Sequence, residues 1–287
     1  MENQPLPRQA RNRPGDVQAR LEALVRARRF GDAIALLNPL VAGQRRNPGL
    51  LHLMADLHQR NGDPVQAEAW FRQAIKAAPR EPGPYLQLAQ MLRDAGKLRE
   101  AEQVLRRALK AAPASALLHG HLGAVLQDQD QLAEAREAMA RSAALNPRNP
   151  KIHNNLGVVW HRLGKPEEAL QGYERALALD PGYTEARRNL ARHWRHMGQP
   201  ERAEALYREV LARDPESFAD ARELADYCIE QGRLEDALSL LRPFQASRDP
   251  AVLQQLGNTM QVLGEIGQAG DLLREALRLH PTAGGAW

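Results

Sequence analysis

The residues best suited to chemistry are cationic. Arg188, Arg192 and Arg195 stand at i, i+4 and i+7, so on a helix they share one face. A guanidinium presents a planar fork of donors that matches a carboxylate or a phosphate. The bland alternative is a solvated arginine face paired with neighbouring acids such as Glu185. Nine histidines raise the question of metal. His119 and His121 are two apart and diverge on a helix, while His193 and His196 could share a face but lack a third ligand at suitable spacing. We therefore read neither metal nor cofactor. The single cysteine, Cys228, excludes an internal disulfide and a cysteine-based zinc site, and reads as a small buried hydrophobe. A phosphate-binding glycine loop, a serine nucleophile elbow and an H-E-x-x-H zinc motif are all missing. The expectation is binding rather than catalysis.

Those side chains must be carried by something, and composition says what. The chain has 287 residues, enough for a sizeable core, yet aromatics are only 5%. Alanine and leucine recur throughout, which suits closely packed helices better than sheets. Mean hydropathy is −0.54 and no run of 18 apolar residues occurs, so no membrane span is expected. The N-terminus lacks the apolar stretch of a secretory signal, which makes the cytoplasm the default location. Net charge is +4, with 39 basic and 35 acidic residues interspersed. No aromatic platform interleaves with the arginines, so nucleic acid is not the expected partner. Only five of the basic residues are lysine, a usage that hints at a GC-rich bacterial gene.

The helices are arranged in a repeat. Pro79, Pro113, Pro147, Pro181 and Pro215 are each 34 residues apart, as are Ala67, Ala101, Ala135, Ala169 and Ala203. Small residues keep the same step at Ala55, Ala89, Gly123, Gly157 and Ala191. Within one unit Leu156, Trp160 and Leu163 fall at helical spacing and Gly164 follows, a residue able to close a helix in the left-handed conformation. The same slot holds Gly62, Gly96, Gly198, Gly232 and Gly264, and Asp130 in one unit. Lys165-Pro166-Glu167-Glu168 then opens a second helix. Each unit is thus expected to be a helix–turn–helix hairpin, with Gly157 and Ala169 letting its two helices approach closely.

This pattern resembles the tetratricopeptide repeat. The clearest unit carries His153, Leu156-Gly157, Trp160, Ala169, Tyr173, Ala176 and Pro181 in the family's slots. We place units at 48–81, 82–115, 116–149, 150–183, 184–217, 218–249 and 250–283, with a degenerate one at 15–47. A flexible tail is expected at 1–14, and a truncated ninth unit at 284–287. The resemblance implies an all-α fold: a right-handed superhelical α-solenoid of tandem hairpins that binds a protein or peptide. It also implies that the first helix of each unit lines the groove. On that basis the groove contains Lys151, Asn154, His161 and Arg162 from one unit, then Arg188, Arg192, Arg195 and His196 from the next. Arg222, Asp226 and Glu230 follow, then Gln254, Asn258 and Gln261. Asn155 and Asn189 fill the slot of the family's asparagine ladder in consecutive units, and the family's clamp for chaperone tails does not transfer. The basic middle of the groove suggests an acidic ligand. An alternative is the substrate-recruiting N-terminal region of a larger bacterial enzyme of sulfotransferase, glycosyltransferase or hydroxylase type. An open apolar end near Trp287 suggests self-association as a further option.

Overall fold

The structure, a computed structural model, describes residues 14–44 and 46–280. Among them the chain forms helices and no strand. In order these are α1 (Pro14–Arg26), α2 (Phe30–Gly43), α3 (Pro48–Arg60), α4 (Pro64–Ala77), α5 (Pro82–Asp94), α6 (Leu98–Ala111), α7 (Ala116–Asp128) and α8 (Leu132–Leu145). Then come α9 (Pro150–Arg162), α10 (Pro166–Leu179), α11 (Thr184–His196), α12 (Pro200–Arg213), α13 (Phe218–Glu230), α14 (Leu234–Leu241), α15 (Pro250–Val262) and α16 (Ile266–Leu279). Odd-numbered helices open a hairpin and even-numbered helices close it. The chain divides into two compact units, residues 1–159 and 160–287, with the division falling inside α9. The expected tail at 1–14 lies outside the described residues except for Pro14, and the expected ninth unit at 284–287 lies wholly outside them.

The hairpin turns are built as the sequence spacing implies. Six glycines, Gly62, Gly96, Gly164, Gly198, Gly232 and Gly264, have positive φ, and Asp130 takes the same conformation with φ 63°. At Gly96 this lets Lys97 N–H reach back to the Leu92 carbonyl at 2.8 Å, which satisfies an orphan acceptor at the end of α5. First helices start at caps: Asn47, Ser115, Ser217 and Asp249 each accept a backbone N–H with the side chain.

Two further devices hold hairpins together. A Cβ placed on Gly123 would lie 2.5 Å from Met139 Cγ and 3.2 Å from the Ala135 carbonyl oxygen, so α7 and α8 touch through a position with no side chain. Gly257 faces Leu273 and the Ala269 carbonyl in the same way in the last hairpin. Between hairpins, one donor in each of four first helices reaches the carbonyl of the proline six residues earlier. Tyr85 Oη donates to Pro79 at 3.1 Å, His119 Nε2 to Pro113 and His153 Nε2 to Pro147 at 2.9 Å, and Arg187 Nη2 to Pro181 at 2.6 Å. The two histidines that occupy an aromatic packing slot in sequence are therefore also anchors for the preceding helix end.

Each unit has its own apolar core. In the first, Ala33, Leu37, Leu51, Met54, Leu57 and Ala74 pack together. In the second, Tyr207, Leu224, Tyr227, Leu241, Leu256 and Met260 do so, and Cys228 is buried among them. Burial raises the Cys228 pKa, which disfavours the thiolate. One hairpin departs from the pattern. Helix α14 stops at Leu241 after 8 residues and continues as a 3-10 turn over Arg242–Ala246. Pro243 lacks the N–H that an α-helix would direct at Ser239, and its ring crowds that carbonyl.

Candidate partner-binding face

On the first helices of the second unit the arginine row is present and already occupied. Arg188 makes a two-pronged pair with Asp220, with Nη2 2.6 Å from Oδ2. Arg192 holds Glu223 through Nε at 3.0 Å and through Nη2, while its Nη1 donates to Asn189 Oδ1 at 3.3 Å. Arg195 holds Glu230, with Nε 2.9 Å from Oε2. All three acids belong to α13, the first helix of the following hairpin. These hydrogen bonds push the three guanidinium pKa values above the ordinary arginine value, against the opposing effect of burial. Glu185, the neighbour suggested by sequence, accepts from Tyr183 Oη at 3.1 Å and acts on Arg188 through its charge alone.

Asp220 is the most enclosed member of this ladder, 4% exposed. Burial by itself would raise its pKa. The hydrogen bonds to Arg188 and Ser217 and the charges of Arg188 and Arg192 outweigh that and hold it below the usual carboxylate value. The same kind of rung occurs in the first unit, where Arg93 of α5 binds Asp128 of α7 and His52 of α3 meets Gln87 of α5 at 2.7 Å. Three of these contacts, His52–Gln87, Arg93–Asp128 and Arg195–Glu230, join residues 35 apart. That is one repeat length plus one residue. The acids lie within three residues of one repeat length from their arginines, so they are legible only when neighbouring units are aligned.

The other residues expected in the groove are distributed as follows. In the first unit, Lys151 is exposed on α9 and its backbone N–H bonds to Asn149 Oδ1 at 3.1 Å. Asn155 is half-buried and accepts from the Asn154 amide at 3.4 Å. Asn154 is 0% exposed, so in this conformation it supports Asn155 and does not face a ligand. In the second unit, Arg162 is exposed, and Asn189 is half-buried beside Arg192.

His161 and His196 pack edge to face with ring centroids 5.2 Å apart, and His193 lies 6.3 Å from His161. The fold thus gives the His193/His196 pair a third histidine, one that spacing did not reveal. His193 is buried, in ring contact with Tyr173 and Trp194, and its Nδ1 is buried with no hydrogen-bond partner. Burial lowers the pKa of His161 and of His193, and the neighbouring imidazoles lower both further. The rings pack and do not converge: among the described residues no group of three His, Cys, Asp or Glu side chains could hold a metal ion. No described helix is long and apolar enough to cross a membrane.

Tandem hairpins of this design, closed by positive-φ turns and packed internally through small residues, define a tetratricopeptide-repeat solenoid, a scaffold for protein interaction. The family model for the cilia and flagella-associated protein 70 C-terminal domain, a tetratricopeptide-repeat model, matches residues 12–248. The chain belongs to that tetratricopeptide-repeat family. No curated protein matches it. Among solved structures, a tetratricopeptide repeat protein from Parabacteroides merdae aligns with 81% of this chain and 93% of its own at TM-score 0.63 and 17% identity. One chain of the APC/C hetero-tetramer Cut9–Hcn1 aligns over 90% of this chain and 48% of its own length at TM-score 0.63 and 17% identity. PilF from Pseudomonas aeruginosa aligns with 70% of this chain and 91% of its own at TM-score 0.56 and 25% identity. These likenesses are likenesses of fold.

Proposed function

We propose that the chain holds a segment of a partner protein on the first-helix faces of its hairpins, and that the segment is acidic where it meets Arg188, Arg192 and Arg195. The observation that carries this reading is the ladder itself. Its guanidinium groups are held in fixed orientation by cross-hairpin hydrogen bonds, and Arg192 remains 52% exposed at the side chain. A preorganised donor row loses little side-chain freedom when a partner arrives. Partner carboxylates would share or exchange guanidinium edges with Glu223 and Glu230. Each exchange replaces one ion pair with another, so selectivity comes from the spacing of the acids more than from net charge.

The test is selection of random peptides on the intact chain, followed by titration of a selected peptide against variants. Asn189→Trp, on the first-helix face, is expected to weaken binding at least tenfold. Arg175→Trp, exposed on the second helix α10, is expected to leave it within twofold. Arg192→Gln with Arg195→Gln should weaken acidic peptides more than neutral ones. Equal effects of the two tryptophan substitutions would contradict the reading. Arg188 is left unchanged in these variants because Asp220 depends on it.

A further inference from the structure

One carboxylate in the ladder of the second unit has no arginine bound to it across the hairpins. Helix α11 supplies three arginines to Asp220, Glu223 and Glu230 of α13. A fourth carboxylate of α13, Asp226, has as its ion-pair partner Arg222 of its own helix, at 3.7 Å. That separation is too long for a charge-assisted hydrogen bond. The next first helix, α15, runs Pro250–Val262 without a single charged residue, so it offers Asp226 no cation.

At this place the surface opens into a cavity of about 420 Å³, lined by Arg195 of α11, by Asp226, Ile229 and Glu230 of α13 and by Asn258, Thr259 and Val262 of α15. Val262 is 73% exposed, a large apolar side chain left in water at the rim. The Thr259 hydroxyl donates to the Gln255 carbonyl at 2.9 Å, which leaves its oxygen able to accept. The lining therefore offers an apolar wall, one cation and two carboxylates; Arg195 is bound to Glu230, which leaves Asp226 as the carboxylate with no hydrogen-bonded cation.

We propose that this cavity is a subsite for a basic side chain, arginine or lysine, of the segment held on the first-helix face. The stem lies along Ile229 and Val262, and the head pairs with Asp226 beside the oxygens of Asn258 and Thr259. A long cationic side chain is the group whose apolar stem and charged head match such a wall. Burial raises the Asp226 pKa, and Glu230 and Glu223 push it the same way against Arg222 and Arg195. An incoming cation relieves that cost. The proposal rests on the reading that the first-helix face binds a segment, and it adds that the segment carries a basic residue next to its acidic stretch.

The experiment is selection of a random decapeptide library on the intact chain, on Asp226→Asn and on Val262→Lys. The second variant places a cation of the chain's own at the rim, on an exposed position where folding is not at stake. On the unaltered chain, arginine or lysine should be enriched at least fivefold at one position. Both variants should return that position to the library frequency while the acidic positions stay enriched. Peptides retained without a basic position, or a basic preference that survives in either variant, would overturn the subsite and leave the scaffold reading standing. Retention of no peptide at all would overturn both.

Discussion

Asp220 shows why a charged face is not read from its cations alone. The arginines are visible in the sequence at helical spacing. The acids that satisfy them lie 31 to 35 residues away, and only the stacking of α11 on α13 brings them within reach. Removing one partner should expose the difference between buried and open rungs. Arg188→Ala strands a carboxylate that is 4% exposed, and is expected to cost about 3 kcal/mol in urea unfolding. Arg192→Ala opens an exposed pair and should cost about 0.5 kcal/mol. Adding Asp220→Ala to Arg188→Ala should recover most of the first loss. The histidine cluster gives a pH dependence of defined sign. His161 and His193 have lowered pKa values in the folded chain, so near pH 6.5 and below the unfolded chain binds more protons. Stability should therefore fall as pH drops from about 7 through the folded values, and His161→Gln should flatten that fall. Asp220 acts at lower pH. Its folded pKa is depressed, so its contribution is intact above about pH 4 and is lost as pH falls through the folded value.

At the scale of the element, the sequence was most informative where a backbone conformation demanded one residue type. The left-handed slot singled out six glycines and Asp130, and all seven have positive φ. The small slot was legible for the same reason, since close approach of two helices excludes a side chain. Gly123→Val is expected to destabilise the chain by about 2 kcal/mol, because its Cβ would overlap Met139 and the Ala135 carbonyl. A fall in the thermal midpoint checks this. Less legible was the end of α14. Pro243 is plain in the sequence, but Pro39 sits inside α2 without ending it, so the residue type alone did not settle the outcome. The hydrogen bonds from His119 and His153 to proline carbonyls were equally hidden, because a packing slot and a donor slot look alike in a repeat alignment.

For the whole molecule, the repeat period fixed the class of fold before any coordinate, because 34-residue recurrence at constant phase has few physical solutions other than stacked hairpins. The division into two compact units was not legible: the repeat runs through Val159 and Trp160 without a change of period. Nor was the balance of charge on the first-helix face, since it depends on which first helices meet. The central claim is that a partner segment is held by first helices, and amide and methyl NMR shifts map it most directly. On titrating a selected peptide into the intact labelled chain, the account predicts shifts concentrated on α11, α13 and α15, with Arg192, Arg195 and Val262 among the largest. Shifts concentrated on the exposed faces of α10, α12 and α16, with the first helices unmoved, would contradict it.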